Sequence, residues 1–237
     1  MSFDVRDSLL AFRRFGFESS TPLLLAAFRE WSDTKAARLL NRVAGWSIRA
    51  MVAGKLGGGS SEEAFCSAAL AVADGSATNQ TAVGKVMASF VPTDAEFKAA
   101  FRAFGPISTS KAKYLLGVLE KERHAKKSQG NLAYDWSSKG VTIEHLIPAS
   151  ATKTGFGSAA DFERFEELRD RLWNFALLER GLNKQAGSMP FAKKKHLYVE
   201  SAFPMTRELA DRSGFGVDDA EKRSIELASL AVQAWKR

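Results

Sequence analysis

The sequence predicts a mainly α-helical protein in which a helical domain precedes a small two-stranded element. Apolar residues recur at helical spacing through most of the first 135 residues. Only two short runs, 141–148 and 175–178, have the β-branched or continuously apolar character of strands. A polar stretch at 126–140 separates the two patterns. We therefore expect a helical domain at residues 1–135 and a second domain at residues 136–237 that ends in a C-terminal helix.

Helices of the first domain are expected where apolar residues line one face, at 5–15, 22–31 and 36–51. Thr93 and Glu96 have capping-box spacing, which predicts a helix at 94–104. Pro106 ends that helix, and a longer one is expected from residue 109 or 110 to about 125. The glycines at 57–59 lack the Lys-Ser/Thr pair of a phosphate-binding loop, so they predict a linker.

The second domain is expected to begin with the strand at 141–148, which a proline ends. A loop rich in serine, threonine and glycine follows at 149–160, and then a charged amphipathic helix at 161–172. The second strand at 175–178 comes next, followed by helices at 191–199 and 218–235. This order places two strands and a helix close together in a mainly helical chain.

Composition limits the partners and the kind of site. Lysine and arginine number 34 against 27 acidic residues, giving a net charge of +7 and a pI near 9.5. This balance favours polyanions such as DNA, although +7 is also ordinary surface charge for a chain of this size. Cys66 is the only cysteine, which excludes internal disulfides and cysteine-rich zinc sites. The chain has no membrane-length apolar run or signal peptide, and we expect a cytoplasmic protein.

The strand Ile143-Glu-His-Leu-Ile-Pro148 carries the most specific chemistry in the chain. Adjacent side chains on a strand point to opposite faces, so Glu144 and His145 can act on different partners. Asn174 and Asn183 follow, in Asn174-Phe-Ala-Leu-Leu178 and Leu182-Asn183. A carboxylate, an imidazole and two amide oxygens are suited to cleavage of a phosphodiester with one metal ion.

These residues resemble the HNH (His-Me finger, ββα-metal) nucleases. They resemble more closely the C-terminal nuclease domain of GmrSD-type modification-dependent restriction enzymes. That domain carries Ile-Glu-His-Ile-x-Pro, Asn-Leu-Thr-Leu-Leu, Leu-Asn and Pro-Phe-x-x-Lys-Lys-x-x-Tyr in this order. The last motif corresponds to Pro190-Phe-Ala-Lys-Lys-Lys-His-Leu-Tyr198. One departure is Trp173, which stands where the family usually has glycine.

The resemblance implies a metal-dependent DNA endonuclease that nicks or cuts both strands in restriction or defence against foreign DNA. It also implies 5′-phosphate and 3′-hydroxyl products. In such enzymes a nucleotide-dependent sensor domain precedes the nuclease region, and no segment of this chain resembles one. We therefore expect the chain to be either the effector part of a longer sensor-nuclease protein or a stand-alone relative.

The catalytic residues expected from this chemistry are His145, Asn174 and Asn183. A neutral imidazole is a suitable general base at physiological pH, which gives His145 that role. Glu144 and Asn183 offer hard oxygen ligands for Mg²⁺, for which Mn²⁺ can substitute. Asn174 is expected to orient the loop or the His145 ring through hydrogen bonds.

DNA phosphates are expected to contact a set of lysines that follow the second strand: Lys184, Lys193, Lys194 and Lys195. An alternative is that the chain is a DNA-binding or protein-interaction helical module whose nuclease site is inactive. The four intact residues Glu144, His145, Asn174 and Asn183 favour the enzyme over that alternative.

Overall fold

Helices make up most of the chain in this computed structural model, which describes residues 5–57, 59–126 and 135–237. Within those ranges the strands are limited to one antiparallel pair, so the chain is mainly α as predicted. None of the described helices combines the length and the apolar character needed to cross a bilayer. The chain divides into two compact units. Among the described residues, one consists of 102–230 and the other of 5–101 with 231–237.

The first unit in chain order is helical. Its helices are α1 (Val5–Phe15), α2 (Thr21–Glu30), α3 (Asp33–Val52), α4 (Gly59–Ala73), α5 (Gln80–Val86) and the start of α6 (Asp94–Ala103). The predicted helices at 5–15, 22–31, 36–51 and 94–104 are confirmed to within a few residues. Helix α5 was not predicted, because seven residues are too few for a helical period to stand out.

The core of this unit lies between α2, α3 and α4. Its large buried side chains include Leu39, Val43, Trp46, Phe65 and Phe90. Helix α6 begins with a reciprocal pair of bonds in which the Glu96 N–H donates to Thr93 Oγ1 at 3.2 Å and the Thr93 N–H donates to Glu96 Oε2 at 2.7 Å. The capping box that the sequence predicts is therefore present.

Arg49 joins the last residues of the chain to this unit. Its side chain is fully buried and donates to the carbonyls of Trp235 and Pro92 and to the Asp94 carboxylate. Burial lowers the pKa of Arg49, and the hydrogen bond to Asp94 and the charge of Asp94 oppose that shift. A buried guanidinium needs such acceptors, so these contacts hold residues 231–237 against α3.

The second unit carries both strands. Its elements after α6 are α7 (Thr109–Lys126), β1 (Val141–His145), α8 (Ala159–Leu168), β2 (Phe175–Glu179), α9 (Arg180–Ala186), α10 (Phe191–Val199), α11 (Pro204–Leu209) and most of α12 (Val217–Ala234). Both expected strands and the helices at 191–199 and 218–235 are found. The strand expected at 141–148 ends earlier, at His145, and the helix expected at 161–172 ends earlier, at Leu168. The six-residue α11 was not predicted.

Helix α7 belongs to the unit of the strands. Lys113 on α7 donates to the carbonyls of Ser138 and Val141, at 2.7 Å each. Gly117 lets the Trp136 ring lie against α7, because a Cβ at position 117 would come within 2.2 Å of that ring. The compact unit that contains the strands thus begins at residue 102, whereas the sequence predicts a second domain from residue 136. Positions 127–134 of the polar stretch lie outside the described residues.

Glu120 on α7 is buried beneath α11. One of its carboxylate oxygens, Oε2, accepts the Met205 N–H at 2.9 Å. Burial raises the pKa of Glu120 to about 8, against the opposing effects of this N–H and of Arg223. A buried carboxyl whose pKa lies this high is bound to a proton over a pH range in which the unfolded chain has lost it.

We expect the substitution Glu120→Gln to flatten the pH dependence of stability. Because its pKa is raised in the folded state, Glu120 contributes to the free energy of unfolding. This contribution is fully present below pH 4.5, the ordinary pKa, and is lost as pH rises through about 8. Glutamine keeps an acceptor for the Met205 N–H but does not ionise. Each pKa unit corresponds to about 1.4 kcal/mol, so the free energies of unfolding of wild type and variant should diverge by a few kcal/mol across this window.

Urea unfolding at a series of pH values measures this effect. Glu200→Gln is the matched control, because Glu200 is an exposed carboxylate just beyond α10. That control should follow the wild-type curve, and a Glu120→Gln curve parallel to wild type would contradict the prediction.

Candidate active site

The two strands set the direction of the Glu144 and His145 side chains. In the antiparallel pairing, Glu144 lies opposite Ala176 and His145 lies opposite Phe175. Residues directly opposite each other share a face of the sheet, and neighbours along a strand alternate. Ala176 packs in the cluster that includes α9 and α10 side chains, whereas the His145 ring meets the Phe175 ring edge to face at 4.8 Å. Glu144 and His145 therefore serve opposite sides of β1.

Glu144 is buried in a network of polar groups from α10. Its Oε1 accepts from Lys194 Nζ at 2.7 Å and from the Tyr198 hydroxyl at 2.9 Å. The exposed fraction of Glu144 is 2%, and Lys194 and Tyr198 are both 0% exposed. Burial raises the pKa of Glu144, and the charge of Lys194 and the two hydrogen bonds oppose this. The carboxylate is thus fixed in one orientation.

His145 is half-buried at the end of β1. Burial lowers the pKa of its imidazole, as do the charges of Lys194 and Arg169, and only Asp170 acts in the opposite direction. A pKa below the ordinary value of 6.5 keeps the ring neutral at physiological pH. A neutral imidazole that is partly open to solvent can accept a proton from water.

Asn174 holds the main chain immediately after His145. Its Oδ1 accepts the Ile147 N–H at 2.9 Å, and its Nδ2 donates to the carbonyls of Ile147 and Arg169 at 3.1 and 3.0 Å. The Asn174 carbonyl also accepts the Leu146 N–H at 2.9 Å. These bonds tie Asn174 to the loop after His145, and none of them reaches the His145 ring.

Asn183 approaches β1 from α9. Its Nδ2 donates to Thr142 Oγ1 at 2.8 Å and to the Ile143 carbonyl at 2.9 Å. Thr142 and Glu144 are two positions apart on the strand and share a face. The two donor hydrogens of the Asn183 amide are thus used on β1. Its oxygen Oδ1 accepts no bond among the described contacts, which leaves a hard oxygen for another partner.

The magnesium that the sequence predicts would need oxygen ligands from the side chains around β1. No group of three or more His, Cys, Asp or Glu side chains in the described part of the chain could hold a metal ion. Mg²⁺ commonly takes only one or two protein ligands and completes its shell with water and phosphate oxygens. Asn183 Oδ1 and the Glu144 carboxylate are oxygens of the type that Mg²⁺ takes, and Lys194 and Tyr198 bind Glu144 at Oε1.

The predicted DNA-contacting lysines separate into two groups. Lys184 and Lys193 are exposed, and Lys195 is partly exposed. Lys194 is fully buried and bound to Glu144, with a further bond from its Nζ to the His145 carbonyl at 2.9 Å. The expectation that Lys194 lies on the surface with its neighbours is corrected, because its ammonium points into the protein.

A cavity of about 610 Å³ opens beyond the end of β1. Its walls include Ile147, Phe156 and Phe215, and its rim carries Asp161 and Asp219. Carboxylates repel the phosphates of a nucleic-acid backbone, although Asp161 is paired with Arg164 at 3.3 Å. The exposed lysines of α9 and α10 are better placed for that contact.

Sequence reasoning missed the roles of Lys194 and Tyr198. The signal was present, because the buried residues of α10 recur at helical spacing and include this lysine: Phe191, Lys194, Leu197 and Tyr198. The sequence predicts that the three lysines of this run face DNA or water, although the middle one lies on the apolar face of the helix.

Comparison with known proteins supports the resemblance in the sequence. A family model described as the C-terminal domain of GmrSD restriction endonucleases matches residues 91–230, which is more than half of the chain. The matched segment includes both strands and all four residues Glu144, His145, Asn174 and Asn183. A search among curated proteins finds no match. The chain belongs to the family of GmrSD restriction endonuclease C-terminal domains.

Proposed function

We propose that the chain is a metal-dependent DNA endonuclease of the HNH (ββα-metal) type that acts in restriction of foreign DNA. Membership of the family supports a restriction endonuclease-like nuclease with DNA as substrate. The observation that carries the finer proposal is the arrangement around β1. The strand ends in Glu144 and His145, and Asn183 binds the same strand from the helix that follows β2.

His145 acts as the general base in this proposal. It takes a proton from a water molecule, and the resulting hydroxide forms a bond to the phosphorus while the bond from phosphorus to the 3′ oxygen breaks. The products are a 5′-phosphate and a 3′-hydroxyl, whose oxygen takes a proton from solvent. The lowered pKa keeps the ring in the proton-accepting form. Contact with Phe175 limits rotation of the ring, and the bonds from Asn174 to Ile147 hold the adjoining main chain. These contacts favour one orientation of the base relative to a bound phosphate.

Glu144 and Asn183 would hold the metal through a carboxylate oxygen and an amide oxygen. Bound Mg²⁺ or Mn²⁺ would supply charge neutralisation at the phosphate and at the departing oxygen. Lys184, Lys193 and Lys195 contribute positive charge to the surface on which the duplex lies. Contacts of this kind carry little sequence information, so choice of target is assigned to a nucleotide-dependent sensor domain outside this chain.

Replacing the base tests the proposal directly. We expect His145→Ala to lower the rate of plasmid cleavage by about two to four orders of magnitude, since a positioned general base typically contributes this much. The fold and DNA affinity should be retained, as measured by circular dichroism and by a binding assay. His196→Ala, at an exposed position of α10, is the control and should cleave like wild type. Full activity of His145→Ala would remove His145 from the mechanism.

Removing the metal tests the proposed metal site. EDTA should stop cleavage, and added Mg²⁺ or Mn²⁺ should restore it, because oxygen ligands without thiolates favour these ions over zinc. Asn183→Ala should require a higher Mg²⁺ concentration for half-maximal activity than wild type. Cleavage that continues in excess chelator would show that Glu144 and Asn183 have another role.

DNA binding by this chain should weaken steeply as salt is added. Each neutralised phosphate releases counterions and contributes about −0.9 to the slope of log affinity against log salt. The triple variant Lys184→Ala/Lys193→Ala/Lys195→Ala should flatten that slope and weaken binding about equally on unrelated duplexes. Lys222→Ala, at an exposed position of α12, is the control. A salt-insensitive or strongly sequence-selective complex would contradict this account of binding.

A further inference from the structure

Three consecutive lysines on α10 have different environments. Lys193 is exposed and Lys195 is partly exposed, but Lys194 is 0% exposed. The Lys194 ammonium donates to the Glu144 carboxylate at 2.7 Å and to the His145 carbonyl at 2.9 Å. Tyr198, one turn further along α10, donates to the same carboxylate oxygen at 2.9 Å. One buried cation therefore contacts both residues of the Glu144–His145 pair.

Burial of this cation is unfavourable for stability unless its partners offset the loss of hydration. An ammonium removed from water must be paired and hydrogen-bonded, and an apolar residue of similar size often stabilises a core equally well or better. A lysine at this position is therefore weak evidence of a contribution to stability. Its position between two site residues indicates a contribution to the site.

The two acceptors of Lys194 define what it can do. The Glu144 carboxylate is held at one of its oxygens, so its rotamer is fixed. The His145 carbonyl belongs to the peptide that connects the base to Leu146, so the bond to it limits rotation of that peptide. Asn183 binds the carbonyl of Ile143 on the other side of the pair. The main chain is thus tethered before and after the site residues.

We propose that Lys194, assisted by Tyr198, is a positioning residue that holds Glu144 and the main chain of His145 in the geometry needed for cleavage. This inference rests on the proposed nuclease function. It assigns different roles to adjacent lysines: Lys194 affects the chemical step, and Lys193 affects binding of DNA. Helix α10 is then a part of the active site in addition to β1, β2 and α9.

The test compares kcat and KM of full-length variants on duplex DNA with Mg²⁺. Lys194→Met keeps the length of the apolar stem and removes the charge. It should lower kcat by about 10- to 100-fold, the usual effect of losing a group that orients site residues. KM and DNA affinity should stay within about twofold of wild type, because the contacts that bind substrate and transition state equally are unaffected. Lys193→Met should instead raise KM with little change in kcat.

Two further variants separate positioning from folding. Tyr198→Phe removes one hydroxyl and keeps the ring that packs against Phe191, so it should fold and show a smaller decrease in kcat. Lys222→Met is the matched control, an exposed lysine that should leave both constants unchanged. Rates are expressed per folded molecule, with the folded fraction taken from near-ultraviolet circular dichroism.

The outcomes distinguish this inference from the proposed function. If wild type cleaves and His145→Ala does not, but Lys194→Met and Tyr198→Phe keep wild-type kcat, the positioning role is wrong and the nuclease function stands. If Lys194→Met raises KM and keeps kcat, Lys194 reaches the DNA and the inference is overturned. Absence of cleavage by folded wild type with Mg²⁺ or Mn²⁺ would overturn the proposed function and this inference with it.

Discussion

The buried contact of Lys194 with Glu144 and the His145 carbonyl is the interaction on which the geometry of the site depends. Glu144 lies on the inner face of β1 at 2% exposure, where an ionised carboxylate without a partner would be strongly unfavourable. Lys194 supplies the opposite charge and Tyr198 a second donor, both from α10. This requirement fixes α10 against the strand, and α10 is 50 residues from Glu144 along the chain.

Positive charge has two separate uses in this part of the molecule. Inside, one ammonium is bound to protein oxygens and cannot reach a phosphate. Outside, the charges of Lys184, Lys193 and Lys195 are hydrated and available to a polyanion. The charge of Lys194 also acts on His145. Together with burial and the charge of Arg169, it lowers the pKa of the His145 imidazole. Lys194, the proposed positioning residue, therefore also favours the neutral imidazole.

Local patterns in the sequence predicted the long helices, both strands and the order of the site motifs, because periodicity and capping are local properties. They did not predict α5 or α11, which are too short to show a period. They also did not show that Lys194 is buried or that α7 lies with the strands. Both depend on contacts between distant segments, such as Lys113 with Val141 and Lys194 with Glu144. The role of Lys194 required a partner that spacing alone does not identify.

The residues around His145 explain how a strand of only five residues can hold a defined arrangement of side chains. Asn183 binds the carbonyl of Ile143, Lys194 binds that of His145, and Asn174 binds both polar groups of Ile147. These three side chains come from α9, α10 and the turn before β2. Each uses hydrogen bonds to the main chain, which restrain backbone direction and leave the imidazole itself free to meet a substrate. The strand end is thus held mainly through its backbone, and the His145 ring stays partly exposed, as its proposed role as a base requires.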